Sequence, residues 1–157
     1  MRIDDRLQSL ISVLFLFLLS SCSKELIRSP VTASEYRWDL TLSKLTLGPD
    51  QYNTADGYWR PREGKKFLWA TVIIHNSLKT DQQFYLDRIN VASGKKLLKP
   101  FIIDMDSIVA IKANPAPILK PGETVSRKLI YILPRGVLPE KLVYENVDIN
   151  IPLRNDR

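Results

Sequence analysis

The only cysteine of the chain, Cys22, lies in a setting where lipid attachment to its sulfur is the expected chemistry. It follows Leu19-Ser20-Ser21 at the end of an apolar run from Leu10 to Leu19. Leu19, Ser20, Ser21 and Cys22 together form the pattern of a bacterial lipobox, where a signal peptidase cuts before the cysteine. A run of about ten apolar residues suits a signal peptide and is too short for a spanning helix, which needs about 20. The sequence therefore predicts a cleaved signal peptide over residues 1–21 and a lipid anchor on Cys22.

The charges of the leading segment depart from that pattern. Arg2 and Arg6 are accompanied by Asp4 and Asp5, so the segment lacks the net positive charge usual ahead of a signal-peptide core. The alternative interpretation is an amphipathic or buried N-terminal helix. Because one cysteine cannot form an internal disulfide, lipidation also accounts for a lone thiol in an oxidising compartment.

The residues after Cys22 indicate where the protein would reside. Resemblance to bacterial lipoproteins implies outer-membrane residence, facing the periplasm or the outside, because Ser23 stands where an inner-membrane lipoprotein commonly has aspartate. The stretch Ser23–Ser34 is polar, contains proline and has no sustained period. We expect residues 22–34 to form a short lipidated tether that reaches at most roughly 40 Å.

A turn-rich loop carries the strongest candidate for recognition. Aromatic residues stand beside arginines here, a combination common in binding surfaces, and the candidates are Tyr52, Tyr58, Trp59, Arg60 and Arg62. The alternative is that these rings cap one end of the hydrophobic core.

Residues for catalysis or metal binding are scarce. His75 is the only histidine and Cys22 is assigned to the anchor, so zinc sites and histidine-assisted nucleophiles have few options. Asp104 and Asp106 could offer oxygen ligands to calcium, but the glycine and distal glutamate of an EF-hand loop are missing. We expect no catalytic residues, no metal, no cofactor and no enzymatic activity.

Composition and charge set wider limits. Hydrophobic residues make up 45% of the 157 and charged residues 25%, as in an ordinary globular domain. The net charge of +6 is unchanged by removal of residues 1–21, and it favours anionic surfaces only weakly. Nucleic acid is implausible as a partner of an exported, lipid-anchored protein.

Basic residues cluster at Arg60-Arg62-Lys65-Lys66, Lys95-Lys96-Lys99 and Lys120-Arg127-Lys128. If the turns bring the first two clusters together, they form an anion-facing patch; otherwise they are solvated loop charges.

Alternating apolar residues predict about seven short strands and no helix after residue 34. Apolar residues fall on every second position from Tyr36 to Leu42, and the phase then slips near Ser43-Lys44, which predicts a bulge. The segment Phe67–His75 is apolar on nearly both faces and predicts a central strand. The fold class is therefore an all-β sandwich over residues 35–153, followed by a tail at 154–157.

Several turn and strand openers carry a resemblance to a known family. They are Gly64-Lys65, Asn76-Ser77, Gly94-Lys95, Pro121-Gly122-Glu123, Ile132-Leu133-Pro134 and Lys141-Leu142. The chain resembles the immunoglobulin-like domain of many bacterial secreted proteins and lipoproteins, related in fold to immunoprotective extracellular antigens. The resemblance covers roughly residues 35–153 and is loose over 101–117. It implies an immunoglobulin-like β-sandwich, and because the family's function is unassigned, it implies no catalytic residues.

Three functions remain open from the sequence. The leading hypothesis is a binding module, held on the membrane through lipid on Cys22, that recognises a protein or another envelope component. The second is a structural or assembly accessory of an envelope complex. The third is an enzyme or small-ligand carrier, which the scarcity of chemical groups disfavours.

Overall fold

The longest strand in the described part of the chain, Lys65–Asn76, lies at the centre of the larger sheet. The computed structural model describes residues 23–107 and 110–154. Within these residues the chain forms fourteen strands and one 3-10 turn at Leu86–Arg88. The strands are β1 (Lys24–Glu25), β2 (Val31–Ser34), β3 (Trp38–Leu47), β4 (Tyr52–Thr54), β5 (Gly57–Trp59), β6 (Lys65–Asn76), β7 (Gln82–Gln83), β8 (Asn90–Ser93), β9 (Lys96–Leu98), β10 (Ile102–Asp104), β11 (Ile118–Leu119), β12 (Thr124–Pro134), β13 (Lys141–Tyr144) and β14 (Val147–Asn150).

Two antiparallel sheets face each other across the main core. The larger has the order β1-β3-β6-β12-β10, with β2 also pairing β3, and the smaller has the order β14-β13-β8-β9. Alternate residues of β6, including Leu68, Ala70 and Val72, are fully buried in this core. Leu142 of the smaller sheet is buried in the same cluster. The predicted all-β sandwich and its central strand are therefore confirmed.

Buried aromatic side chains link the two sheets. Tyr131 on β12 donates its hydroxyl to the carbonyl of Ile89, just before β8, at 2.8 Å. Trp38 on β3 packs against Tyr144 on β13 with ring centroids 5.2 Å apart. Each ring thus joins the larger sheet to the layer opposite, and burial raises the pKa of Tyr131.

The phase slip in β3 is a bulge, as predicted. The register with β6 shifts between Leu42 and Lys44, and the extra residue, Ser43, donates its hydroxyl to the carbonyl of Thr71 at 3.1 Å. The bulge keeps both Leu42 and Leu45 in the core although they differ in parity.

The structure corrects the predicted tether over residues 22–34. β1 and β2 both pair with β3, and Leu26 and Ile27 between them are only 4% and 2% exposed. Ile27 also forms a bridge with Leu153 near the other end of the chain. Strands of two and four residues are too short to show a period-two pattern. The tether was predicted from the polar composition of the segment, which does not report its burial. Only Ser23 separates Cys22 from β1.

Other differences from the sequence-based predictions are smaller. The described residues form more strands than the predicted seven or so, and Tyr36 precedes β3 with 84% of its surface exposed. The signal peptide over 1–21, the cleavage motif and Cys22 lie outside the described residues, as does most of the tail at 154–157. The described part of the chain has no helix with the length and apolarity required to cross a membrane.

Candidate recognition surface

The outer face of the larger sheet carries a second, smaller apolar layer. Phe67 and Trp69 on β6 point away from the main core because they alternate with its buried residues. The β4–β5 hairpin lies over them, and Tyr52, Phe67, Ile102 and Ile130 form one buried cluster. The predicted recognition loop is therefore a hairpin lying over this face of the sheet.

Tyr52 fixes this hairpin to the sheet. Its side chain is 2% exposed, and its hydroxyl donates to the Asp104 Oδ2 atom at 2.8 Å. Asp104 also accepts backbone N–H groups from Ile111 at 2.9 Å and Asp106 at 3.1 Å, so among the described residues this buried carboxylate has three donors. Burial and the neighbouring Asp104 raise the pKa of Tyr52 to about 12. Tyr52 is therefore a buried structural residue of the cluster on the outer face of the larger sheet, which is separate from the main core.

The other aromatic residues of the hairpin face solvent. Tyr58, opposite Asn53 in the register, is 60% exposed, and Trp59, opposite Tyr52, is 51% exposed. Trp59 meets Phe101 edge-to-face at 5.9 Å, and Phe101 stacks on Phe67 at 6.3 Å. A row of rings thus runs from the outer layer of the sheet to the surface.

Arg60 adds a positive charge to the exposed hairpin. Its guanidinium lies 4.7 Å from the centre of the Tyr58 ring, a cation–π arrangement. The same group donates to the Gln51 Oε1 atom at 2.6 and 3.1 Å, from Nη2 and Nε respectively. These contacts hold Arg60 across the base of the hairpin and orient the Tyr58 ring.

Two shallow grooves meet at Trp59. One, of about 330 Å³, lies between Trp59, Phe101 and Pro115. The other, of about 560 Å³, lies between Trp59, Tyr58 and Ala110. Lys112 lines both grooves. We define the exposed aromatic surface as Tyr58, Trp59 and Phe101 with the flanking cations Arg60 and Lys112. Rings flanked by cations favour flat apolar groups that also carry negative charge or hydrogen-bond acceptors.

The structure brings together four of the five predicted recognition residues. Arg62 lies beyond the hairpin, in a turn closed by a 3.1 Å hydrogen bond from the Lys65 N–H to its carbonyl. The sequence-based prediction missed Phe101 and Lys112, which both lie within the irregular stretch 101–117. The only signal for Phe101 was its place at the head of the apolar run Phe101-Ile102-Ile103.

The residues considered for metal binding or catalysis make other contacts. The His75 Nδ1 atom lies 2.9 Å from the Thr124 hydroxyl on the neighbouring strand. Asp106 accepts the Ser126 hydroxyl at 2.6 Å and lies 3.4 Å from the Lys128 ammonium. Within residues 23–107 and 110–154, no three histidine, cysteine or acidic side chains are grouped as metal ligands would be.

The fold has a counterpart among solved structures. A crystal structure of a conserved hypothetical protein from Bacillus anthracis superposes with a TM-score of 0.61 at 14% sequence identity, covering 82% of this chain and 96% of that one. No protein-family model and no curated protein sequence matches the chain significantly. At this identity the likeness supports the sandwich fold alone.

Proposed function

We propose that the protein is a lipid-anchored envelope lipoprotein whose exposed aromatic surface binds a protein or another envelope component. The observation that carries this proposal is the difference in solvent exposure among the aromatic rings of one hairpin. The Tyr52 ring is buried against the outer face of the sheet, whereas Tyr58 and Trp59 leave about half or more of their surface in water.

The clustering of these rings distinguishes them from ordinary surface residues. Single exposed apolar side chains such as Tyr36 are normal on a soluble domain. Trp59 and Phe101, by contrast, contact each other, and Arg60 lies against Tyr58 beside them. Trp, Tyr and Arg are the residues that most often dominate the binding energy of protein interfaces, which supports a recognition role for this surface.

The anchor is the second part of the proposal. Leu19-Ser20-Ser21-Cys22 supports cleavage after residue 21 and lipid on Cys22, and Ser23 at the following position supports outer-membrane residence. On this proposal the domain is held at the membrane by the N-terminal end of β1.

Metabolic labelling with a fatty-acid analogue tests the anchor. Wild-type protein should incorporate label and Cys22→Ala should not, and protease treatment of intact cells should then report whether the domain faces outward. An unlabelled wild-type protein would refute the lipid anchor without bearing on the aromatic surface.

Binding by the aromatic surface is tested separately. Capture of envelope components by the full anchored protein should weaken about tenfold or more in Trp59→Ala, which corresponds to the loss of about 1.4 kcal/mol of binding energy. Tyr36→Ala is the matched control, because it removes an exposed ring that lies outside the hairpin. Equal capture by wild type, Trp59→Ala and Tyr58→Ala would refute the recognition role.

A further inference from the structure

Positive charge is concentrated at the end of the sandwich where the chain enters its first strand. We call this the entry end, formed by β1, the end of β3 with residues 47–50, and the turns at 62–66, 93–96 and 134–140. It carries seven basic side chains, namely Lys24, Arg62, Lys65, Lys66, Lys95, Lys96 and Arg135. Its four acidic side chains are Glu25, Asp50, Glu63 and Glu140, so the entry end has a surplus of three positive charges.

Strand pairing brings these separate segments to one end. Lys24 pairs with Leu47, and Leu47 pairs with Leu68 of β6. From Leu68 the strand runs three residues further to Lys65, which pairs with Pro134. The next turn follows directly, since the Arg135 N–H donates to the Gly64 carbonyl at 2.9 Å.

A groove joins the two basic clusters that are distant in sequence. It has a volume of about 680 Å³ and is lined by Lys65 from one cluster and by Lys95 and Lys96 from the other. The carboxylate of Glu140 accepts the Gly94 N–H at 2.8 Å, and that of Asp50 accepts the Phe67 N–H at 3.1 Å. Two of the four acidic groups at this end therefore already bind the backbone.

The opposite end of the sandwich has the opposite charge. It comprises residues 34–39, 75–81, 119–124 and 144–147, and its charged side chains are the basic Arg37, Lys79 and Lys120 and the acidic Glu35, Asp39, Asp81, Glu123 and Glu145. This gives a surplus of two negative charges, and Arg37 is itself paired with Glu145 at 2.9 Å. The domain is thus polarised along its strands, with the positive end at its N-terminus.

We propose that the entry end docks on anionic phospholipid headgroups of the membrane that carries the Cys22 anchor. This inference rests on the lipidation in the proposed function. Ser23 and Cys22 add at most about 7 Å of chain beyond Lys24, whereas β6 extends about 10 Å beyond the level of Lys24 to Lys65. A lipid on so short a leader holds the basic groove within about one Debye length (~8 Å) of the headgroups, where attraction between charges persists in physiological salt.

The consequence is a defined orientation of the domain. The acidic end points away from the membrane, because a negative surface repels it. The exposed aromatic surface lies on the side of the sandwich, on the outer face of the larger sheet, and stays available to a partner in the same envelope layer.

Lysine reactivity on vesicles tests the orientation. The full lipidated protein is reconstituted into phosphatidylglycerol vesicles and into phosphatidylcholine vesicles, and acetylation of each lysine is followed by mass spectrometry. We expect Lys65, Lys95 and Lys96 to react about fivefold more slowly on phosphatidylglycerol, while Lys79 and Lys120 at the opposite end react equally on both. High salt should abolish the protection.

Charge reversal provides the matched variants. Lys95→Glu with Lys96→Glu should abolish the protection of Lys65, whereas Lys79→Glu with Lys120→Glu should leave it intact. All four positions are exposed, so the fold is expected to survive, as a thermal melt would verify. Acylated protein with equal reactivity on both lipids, or with Lys79 and Lys120 protected instead, would overturn the docking alone. Absence of fatty acid on Cys22 would overturn the anchor and the docking with it.

Discussion

The larger sheet is covered very differently on its two faces. On its inner face, Leu68, Ala70 and Val72 are completely buried beneath a second sheet. On its outer face, a two-stranded hairpin supplies one buried ring, Tyr52, and leaves Tyr58 and Trp59 in water. We infer that the inner face and Tyr52 stabilise the fold. The exposed rings of β5 contribute less to stability and can contact a binding partner.

The contrast is sharpest within the hairpin itself. Tyr52 and Trp59 are opposite each other in the register and therefore point to the same face. The Tyr52 hydroxyl donates a hydrogen bond to the buried Asp104 carboxylate, whereas the Trp59 ring contacts the exposed ring of Phe101. A ring with a buried polar partner is structural, and a ring that contacts another exposed ring is available to a ligand.

The largest expected effect is the loss of the Tyr52 ring. Tyr52→Ala should lower the free energy of unfolding by about 3–5 kcal/mol, because it leaves a cavity and removes one of the three donors to the buried Asp104. Urea denaturation would measure this loss. Tyr36→Ala, at an 84% exposed ring, should change the free energy by no more than about 0.5 kcal/mol. Equal effects at the two positions would remove the distinction between structural and free rings.

The next largest loss of stability is expected for the two buried side chains between β1 and β2. Leu26→Ala and Ile27→Ala should each lower the free energy of unfolding by about 2–4 kcal/mol, because both side chains belong to the main core. Lys24→Ala, at an exposed neighbouring position, is the control. If all three variants melted like the wild type, residues 24–34 would behave as the tether that the sequence suggested.

Alkaline pH should weaken the outer layer. The pKa of Tyr52 is about 12 in the folded protein and about 10 in the unfolded chain, so folding favours the neutral phenol. Its contribution to stability is complete below pH 10 and is lost as the pH rises to 12, a loss on the order of 2–3 kcal/mol. Burial also raises the pKa of Tyr131 and Tyr144, so the comparison of wild type with Tyr52→Phe isolates this residue. Parallel stability curves for the two proteins between pH 10 and 12 would contradict the assignment.

The smallest effect on stability is expected at β5. Trp59→Ala should lower the free energy of unfolding by about 1 kcal/mol or less, since it gives up one edge-to-face contact and a half-exposed ring. If the proposed function holds, the same variant should also lose most of the capture of envelope components. A loss of stability as large as that of Tyr52→Ala would mean that Trp59 belongs to the structural layer.

Much of the inner face could be predicted from the sequence, and much of the outer face could not. The run Phe67–His75 is apolar on nearly both faces, and the apolar positions change parity after Leu42, so the central strand and the bulge in β3 were predictable. The N-terminal strands were missed because their burial depends on Leu45 and Leu153, residues that are remote in sequence. Exposure is likewise a tertiary property: neither the burial of Tyr52 nor the approach of Phe101 to Trp59 has a local signature.

Site-specific photo-cross-linking in intact cells would show directly whether the β4–β5 hairpin contacts a partner. A photoreactive amino acid replaces Tyr58 or, as the control, Tyr36 in the full-length protein. We expect a discrete cross-linked product from position 58 and none from position 36. Products from neither position, or equal products from both, would contradict the claim that the β4–β5 hairpin is the surface through which this protein binds its partner.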